Sequence, residues 1–205
     1  MARVSPPPSD PHFDYKHGVL RNVPGLTDQE KLDKFERIVT AKALLNLQTN
    51  PVRGHFDVAH LKQIHLSIFQ KIYPWAGEFR QVNMNRPPSF SFAVVRFLEI
   101  NLANTLAKLA GGKHLKGLAT ATFASRAAYY FGELNSIHPF REGNGRTQRE
   151  FIRELGGEAG YRINWIHVTR EQMYEASIES HSLGRNAALA ALIGKSIEPK
   201  RGSVL

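Results

Sequence analysis

A short polar loop, His138-Pro139-Phe140-Arg141-Glu142-Gly143-Asn144-Gly145-Arg146-Thr147-Gln148-Arg149, is held between two segments with the apolar spacing of helices. Before it, Phe123, Ala127, Tyr130, Phe131 and Leu134 give residues 120–137 an apolar face broad enough for a central, largely buried helix that delivers His138. After it, Phe151, Ile152 and Leu155 bury a helix that begins at about Asn144. The residue types in the loop suit an anion. Gly143 and Gly145 can take positive φ and expose backbone N–H groups with no Cβ in the way. The helix start points its unpaired N–H groups and positive dipole end into the same space. Arg146 and Arg149, three apart, can both face the loop and grip phosphate oxygens. Glu142 is a hard oxygen ligand of the kind that holds Mg²⁺ when phosphates supply the other ligands. His138 can accept a proton from an attacking hydroxyl.

The rest of the chain reads as helical scaffold around that loop. Thr27-Asp28-Gln29-Glu30 is a capping box opening a helix over about 28–47. Asp57 is an N-cap for a helix ending near Lys71, with Val58, Leu61, Ile64 and Ile68 on one stripe. His60 and His65 stand five apart, which is not the spacing that puts two metal ligands on one face, so they read as structural. Tyr73-Pro74-Trp75-Ala76-Gly77 is a rigid aromatic turn and core anchor. Residues 79–92 read as a short irregular hairpin, and in it Arg80, Asn83, Asn85 and Arg86 could contact a target. Helices follow over about 93–109, from Thr169 to about His181, and near 186–193. The Gly156-Gly157 pair costs roughly 1 kcal/mol of helix propensity per residue, so the helix from Asn144 is expected to end early or be loose there.

Composition narrows the class. At 205 residues the chain suits one domain with a sizeable core, and no apolar run is long enough to span a bilayer. The absence of cysteine removes disulfides, thiolate metal sites and any cysteine nucleophile. The expectation is a soluble protein, cytoplasmic where it is made or delivered from there into another cell, with no membrane contact. The formal charge of +9 invites acidic partners, but no recognition-helix or aromatic-platform signature supports direct nucleic-acid binding.

The spacing His-Pro-Phe-x-Glu-Gly-Asn-Gly-Arg-x-x-Arg matches the signature of the Fic family. Gly54-His55-Phe56-Asp57, the run His60 to His65, and Tyr73-Pro74-Trp75-Ala76-Gly77 with Phe79-Arg80 resemble the upstream part of such domains, so that the likeness covers roughly residues 10–193. It implies an all-α fold, a single Fic-type helical domain over 13–193. A small β-hairpin flap at about 79–92 would lie next to the active site, and the motif at 138–149. Residues 1–12 would be a disordered arm and 194–205 a basic tail.

The reaction implied is transfer of AMP from ATP to a protein Tyr, Ser or Thr hydroxyl, releasing diphosphate. His138 would be the catalytic base and Glu142 the Mg²⁺ ligand. Asn144 with the Gly143 and Gly145 amides would hold the α and β phosphates, Arg146 would assist, and Arg149 would bind the γ-phosphate. In the flap, Phe90 and Phe92 would either dock the target or pin the hairpin to the core. One relative that transfers the γ-phosphate lacks both motif glycines; both stand here, which favours AMP transfer. Many Fic proteins carry an inhibitory helix with Ser/Thr-x-x-x-Glu-Gly/Asn. This chain lacks that pattern, so a small separate antitoxin whose glutamate would approach Arg149 is expected. The chain most resembles bacterial Fic toxins, whose targets are ATPase subunits of type II topoisomerases such as gyrase and topoisomerase IV. The alternatives are a secreted effector acting on host GTPases, or a non-catalytic module that binds nucleic acid or protein.

Overall fold

The structure, a computed structural model, describes residues 10–86 and 90–199, with the backbone alone at Arg86 and Phe90. Among the described residues it is built from seven α-helices and two small antiparallel hairpins, the all-α fold with a flap that the sequence implied. Helix α1 spans Gln29–Thr49. Its N-cap is Asp28, one residue on from Thr27, and the Asp28 carboxylate takes the Lys31 N–H at 2.8 Å. Helix α2, Val58–Phe69, starts at Asp57 in the same way. Both α1 and α2 carry their apolar stripes inward, Leu32 and Leu47 from the first and Leu61, Ile64, Ile68 and Phe69 from the second.

Helix α4, Thr120–Ile137, is the central element: Phe123, Ala127, Ala128, Tyr130, Phe131 and Leu134 are all buried. Helices α3 (Leu98–Gly111), α5 (Asn144–Glu158), α6 (Arg170–Leu183) and α7 (Ala187–Ser196) surround it. Its second half, from Ala127 to Ile137, is buried or half-buried throughout, while Thr122, Ser125 and Arg126 leave one face of its first half exposed. No helix among the described residues is long and apolar enough to cross a membrane.

Several expectations shift. Helix α3 begins at Leu98 rather than Ala93, because Asn83 Oδ1 takes the Val95 N–H at 2.9 Å and Ser136 O takes the Ala93 N–H at 3.1 Å, holding residues 93–95 out of the helix. Helix α5 runs through Gly156-Gly157 to Glu158. A Cβ on Gly156 would lie 2.7 Å from Ile163 Cδ1, so that glycine lets the next segment pack directly on the helix. Tertiary packing outweighs propensity there. Helix α7 extends to Ser196, and the Ile163–Ile197 bridge and the Glu198 N–H to Arg162 carbonyl bond tie residues 197–198 to the domain. The tail expected from residue 194 therefore starts no earlier than residue 199.

At the other end, residues 1–9 of the expected arm lie outside the described residues. Asp10 to His12 do not form an arm. Asp10 is 1% exposed, and its carboxylate pairs with Arg141 inside the motif loop. His12 is buried beside Trp75, with ring centroids 4.9 Å apart. Strands β1 (Phe13–Asp14) and β2 (Val19–Leu20), which the sequence did not announce, close the turn that presents Asp10.

Candidate active site

The flap pairs β3 (Asn85–Arg86) with β4 (Phe90–Ser91), Asn85 opposite Ser91. Its base is fastened by Arg80. That side chain, one of four that could contact a target, is 1% exposed. Its Nε donates to His138 O at 2.8 Å and its Nη1 to Val82 O at 2.7 Å, while Nη2 reaches the carbonyls of Ala93 and Ile137. The Arg80 N–H adds a bond to Pro139 O at 2.9 Å. The last carbonyls of α4 are orphans at a negative dipole end, and a buried guanidinium satisfies several at once. Burial pushes Arg80 down to about 10.

His138 caps α4 in the left-handed region, φ 51°, and is 8% exposed. Its Nδ1 lies 3.3 Å from Asn135 O. A proton on Nδ1 would donate there and leave Nε2 as the basic nitrogen. Phe92 stacks flat on the imidazole, with centroids 3.8 Å apart and planes at 14°. Phe92 is thus turned inward and not displayed for docking, in keeping with the pinning reading. The Phe90 side chain lies outside the described residues.

The loop itself is shaped by its own side chains. Asn144, expected to hold phosphate, has its amide committed to both backbone groups of Phe140, at 2.9 and 2.7 Å. Its side chain closes the loop. His65 braces it from α2: Nε2 donates to Glu142 O at 3.0 Å, and Nδ1 accepts the Gly77 N–H at 2.8 Å. Its ring stacks on Phe140 at 3.9 Å, and burial holds it neutral, with its pKa pushed down to about 4. The structural reading of His65 holds, and His60 is likewise structural, its Nε2 2.9 Å from Glu154 Oε2 in the core. Gly143, at φ 81°, sits where a Cβ would be 2.3 Å from the Phe69 ring. Gly145 is exposed and helical, and its Cβ would meet only Arg149 Nη1, at 3.8 Å.

The cations divide. Arg146 is held on the scaffold: Nη2 lies 2.7 Å from Glu36 Oε1 and 3.3 Å from Glu142 Oε1, Nη1 lies 3.4 Å from Thr40 Oγ1, and the guanidinium covers the Phe69 ring at 4.8 Å. Arg149 has no ion-pair partner among the described residues. Burial, then Arg146 and Arg170, push it down to about 10. Its uncompensated charge lies beside the start of α5, where the N–H groups of Asn144 and Gly145 have no acceptor among the described residues. This corner suits an anion. A groove along α6 is lined by Arg170, Glu171, Tyr174 and Glu175, and the Arg170 charge is felt at Arg149.

Sequence reading missed Glu36, Tyr73 as a polar group, and the role of Arg80 in fastening the base of the flap. Tyr73 is the buried core anchor expected, but its hydroxyl also donates to Glu36, fixing the carboxylate that holds Arg146. Only three-dimensional proximity shows this.

A sequence model of the Fic/DOC family matches residues 55–155. The protein adenylyltransferase VbhT of Bartonella schoenbuchensis is 41% identical over 189 residues, which are 92% of this chain and 39% of that protein. The chain therefore spans well under half of VbhT. A protein of Sinorhizobium fredii named "Probable protein adenylyltransferase y4lH" is 34% identical, over 87% of this chain and 91% of its own length. Among solved structures, the N-terminal Fic domain of a VirB-translocated Bep effector from Bartonella quintana, with bound ADP, superposes with a TM-score of 0.88 at 31% identity, covering 93% of this chain and 95% of that one.

Proposed function

The chain belongs to the Fic/DOC family, and from that premise we propose that it is a protein adenylyltransferase, moving AMP from ATP to the hydroxyl of a Tyr, Ser or Thr side chain of another protein. One observation carries the reading: an arginine side chain and two N–H groups, all without a partner among the described residues, lie together at the loop that follows His138. The γ-phosphate goes to Arg149. The N–H groups of Asn144 and Gly145 hold the phosphates nearer the sugar. Gly145 supports this, since nothing in the chain requires a glycine there and a close-lying ligand would.

His138 Nε2 takes the proton of the target hydroxyl as its oxygen bonds to the α-phosphorus. The bond from that phosphorus to the bridging oxygen breaks, and diphosphate leaves with the electron pair. Adenylyl transfer of this kind proceeds with Mg²⁺ neutralising phosphate charge. The donor set fits such an ion, because Mg²⁺ is held by one or two carboxylates plus phosphates and waters. Glu142 offers one partly exposed carboxylate, with Oε1 taking the Gly143 N–H and Oε2 turned away from those contacts. No cluster of three ligands occurs among the described residues. Restraint comes from a separate antitoxin helix whose glutamate pairs with Arg149, and type II topoisomerase ATPase subunits are the favoured targets. The Bep relative is a translocated effector, which favours delivery and a host target as the second reading.

Purified protein incubated with Mg²⁺, a bacterial lysate and α-labelled ATP is expected to label a protein band, identified by mass spectrometry. Label from γ-labelled ATP instead would mean phosphotransfer and overturn the reading. Arg149→Ala is expected to weaken ATP binding roughly 10- to 100-fold by calorimetry, the scale of a charge-assisted contact. AMP binding should stay within a factor of two, because AMP has no terminal phosphate. Equal losses for both nucleotides would remove Arg149 from that role.

A further inference from the structure

Glu36 lies on α1, 110 positions before Arg146 and outside the signature, yet it holds one of the motif's two arginines. One Arg146 nitrogen, Nη2, contacts both Glu36 Oε1 at 2.7 Å and Glu142 Oε1 at 3.3 Å. The shorter contact is to Glu36. Glu36 is itself fixed by the Tyr73 hydroxyl, and Arg146 is seated against Phe69 and Thr40. Only 12% of the Glu36 side chain and 20% of that of Arg146 are exposed, so solvent screens this pair little.

We propose that Glu36 is a positioning residue that keeps Arg146 from neutralising Glu142, and so keeps the Glu142 carboxylate available to a divalent cation on the nucleotide phosphates. The proposal rests on the nucleotide site assigned above. A guanidinium without Glu36 would have one carboxylate left within reach, Glu142, and a charge-assisted pair there competes directly with the metal. With Glu36 present, Arg146 is already compensated, and Glu142 needs only to give up a long contact. This makes Glu36 part of the outer shell of a metal site, and loss of such partners costs metal affinity about 10- to 100-fold. Tyr73 belongs to the same arrangement, since it orients the Glu36 carboxylate.

The test reads how much Mg²⁺ strengthens ATP binding, as the ratio of calorimetric dissociation constants in EDTA and in Mg²⁺, on the full chain. Glu36→Gln keeps the shape and an acceptor for Tyr73 but removes the charge; the ratio is expected to fall about tenfold or more. Arg146→Met alone should leave the ratio at or above that of the unaltered protein, because nothing then competes for Glu142. Adding Arg146→Met to Glu36→Gln should restore the ratio. An unchanged ratio in Glu36→Gln overturns the proposal, as does a failure of the double variant to recover it. If Glu36→Gln does not fold, a reduced ratio in Arg146→Met overturns it alone. The ratio is read without any transfer, so absence of label from α-labelled ATP in the unaltered protein would sink the adenylyltransferase reading while leaving this result standing.

Discussion

Replacing His138 with alanine is expected to lower AMP transfer from α-labelled ATP by about a thousandfold, within the range that general acid–base catalysis contributes. ATP binding should survive. The groups proposed to face the phosphates are Arg149 and the N–H groups at the start of α5, and among the described residues none of them is seen to bond to the His138 side chain. The backbone at this position is fixed by its neighbours: the His138 N–H bonds to Leu134 O, and Arg80 Nε holds the His138 carbonyl. The imidazole contributes stacking on Phe92 and a contact with Asn135 O. Alanine in the left-handed region costs about 1–2 kcal/mol, so a parallel His138→Asn variant, better tolerated at positive φ, separates loss of the base from loss of the cap. Both variants should bind ATP within threefold of the unaltered protein by calorimetry and both should fail to label a target. Transfer retained in either one would remove His138 as the base, and another proton acceptor would have to be sought near the loop.

The molecule also divides cleanly into what local chemistry announces and what only folding brings together. Caps and apolar spacing are local signals, which is why α1, α2, α4 and α6 lie close to where the sequence put them. The motif is contiguous, and so the meeting of His138 with the start of α5 was legible too. Long-range pairs were not. Asp10 meets Arg141 across 131 positions, and Glu36 meets Arg146 across 110. Nothing in the periodicity of either partner signals the other. The same holds for Asn144 and Arg146, whose types suit phosphate but whose side chains fold back onto Phe140 and Glu36. Arg80, which could have contacted a target, is buried instead: charge alone argues for exposure, whereas its side chain's four bonds to backbone carbonyls at the base of the flap offset its desolvation.

The two motif glycines should separate folding from function. Gly143→Ala places a Cβ 2.3 Å from the Phe69 ring, at a backbone φ of 81°. Phe69 is fully buried between His65 and Tyr73, with ring centroids at 4.7 and 6.1 Å, so it has no room to withdraw. Left-handed strain of about 1–2 kcal/mol and overpacking of about 1–3 kcal/mol add to a destabilisation of about 4 kcal/mol, read from the urea midpoint at constant m-value. A Cβ on Gly145 makes one ordinary van der Waals contact, with the end of the Arg149 side chain at 3.8 Å, and at an exposed helix position Gly145→Val should shift stability by no more than about 1 kcal/mol. Its branched side chain stands over the N–H groups that the α and β phosphates need. Labelling by α-labelled ATP should therefore drop at least about a hundredfold, and ATP affinity with it, the loss expected when oriented donors are blocked. Full labelling by a stable Gly145→Val protein would mean the phosphates pass elsewhere, and a Gly143→Ala protein as stable as the original would mean that Phe69 does not set the loop.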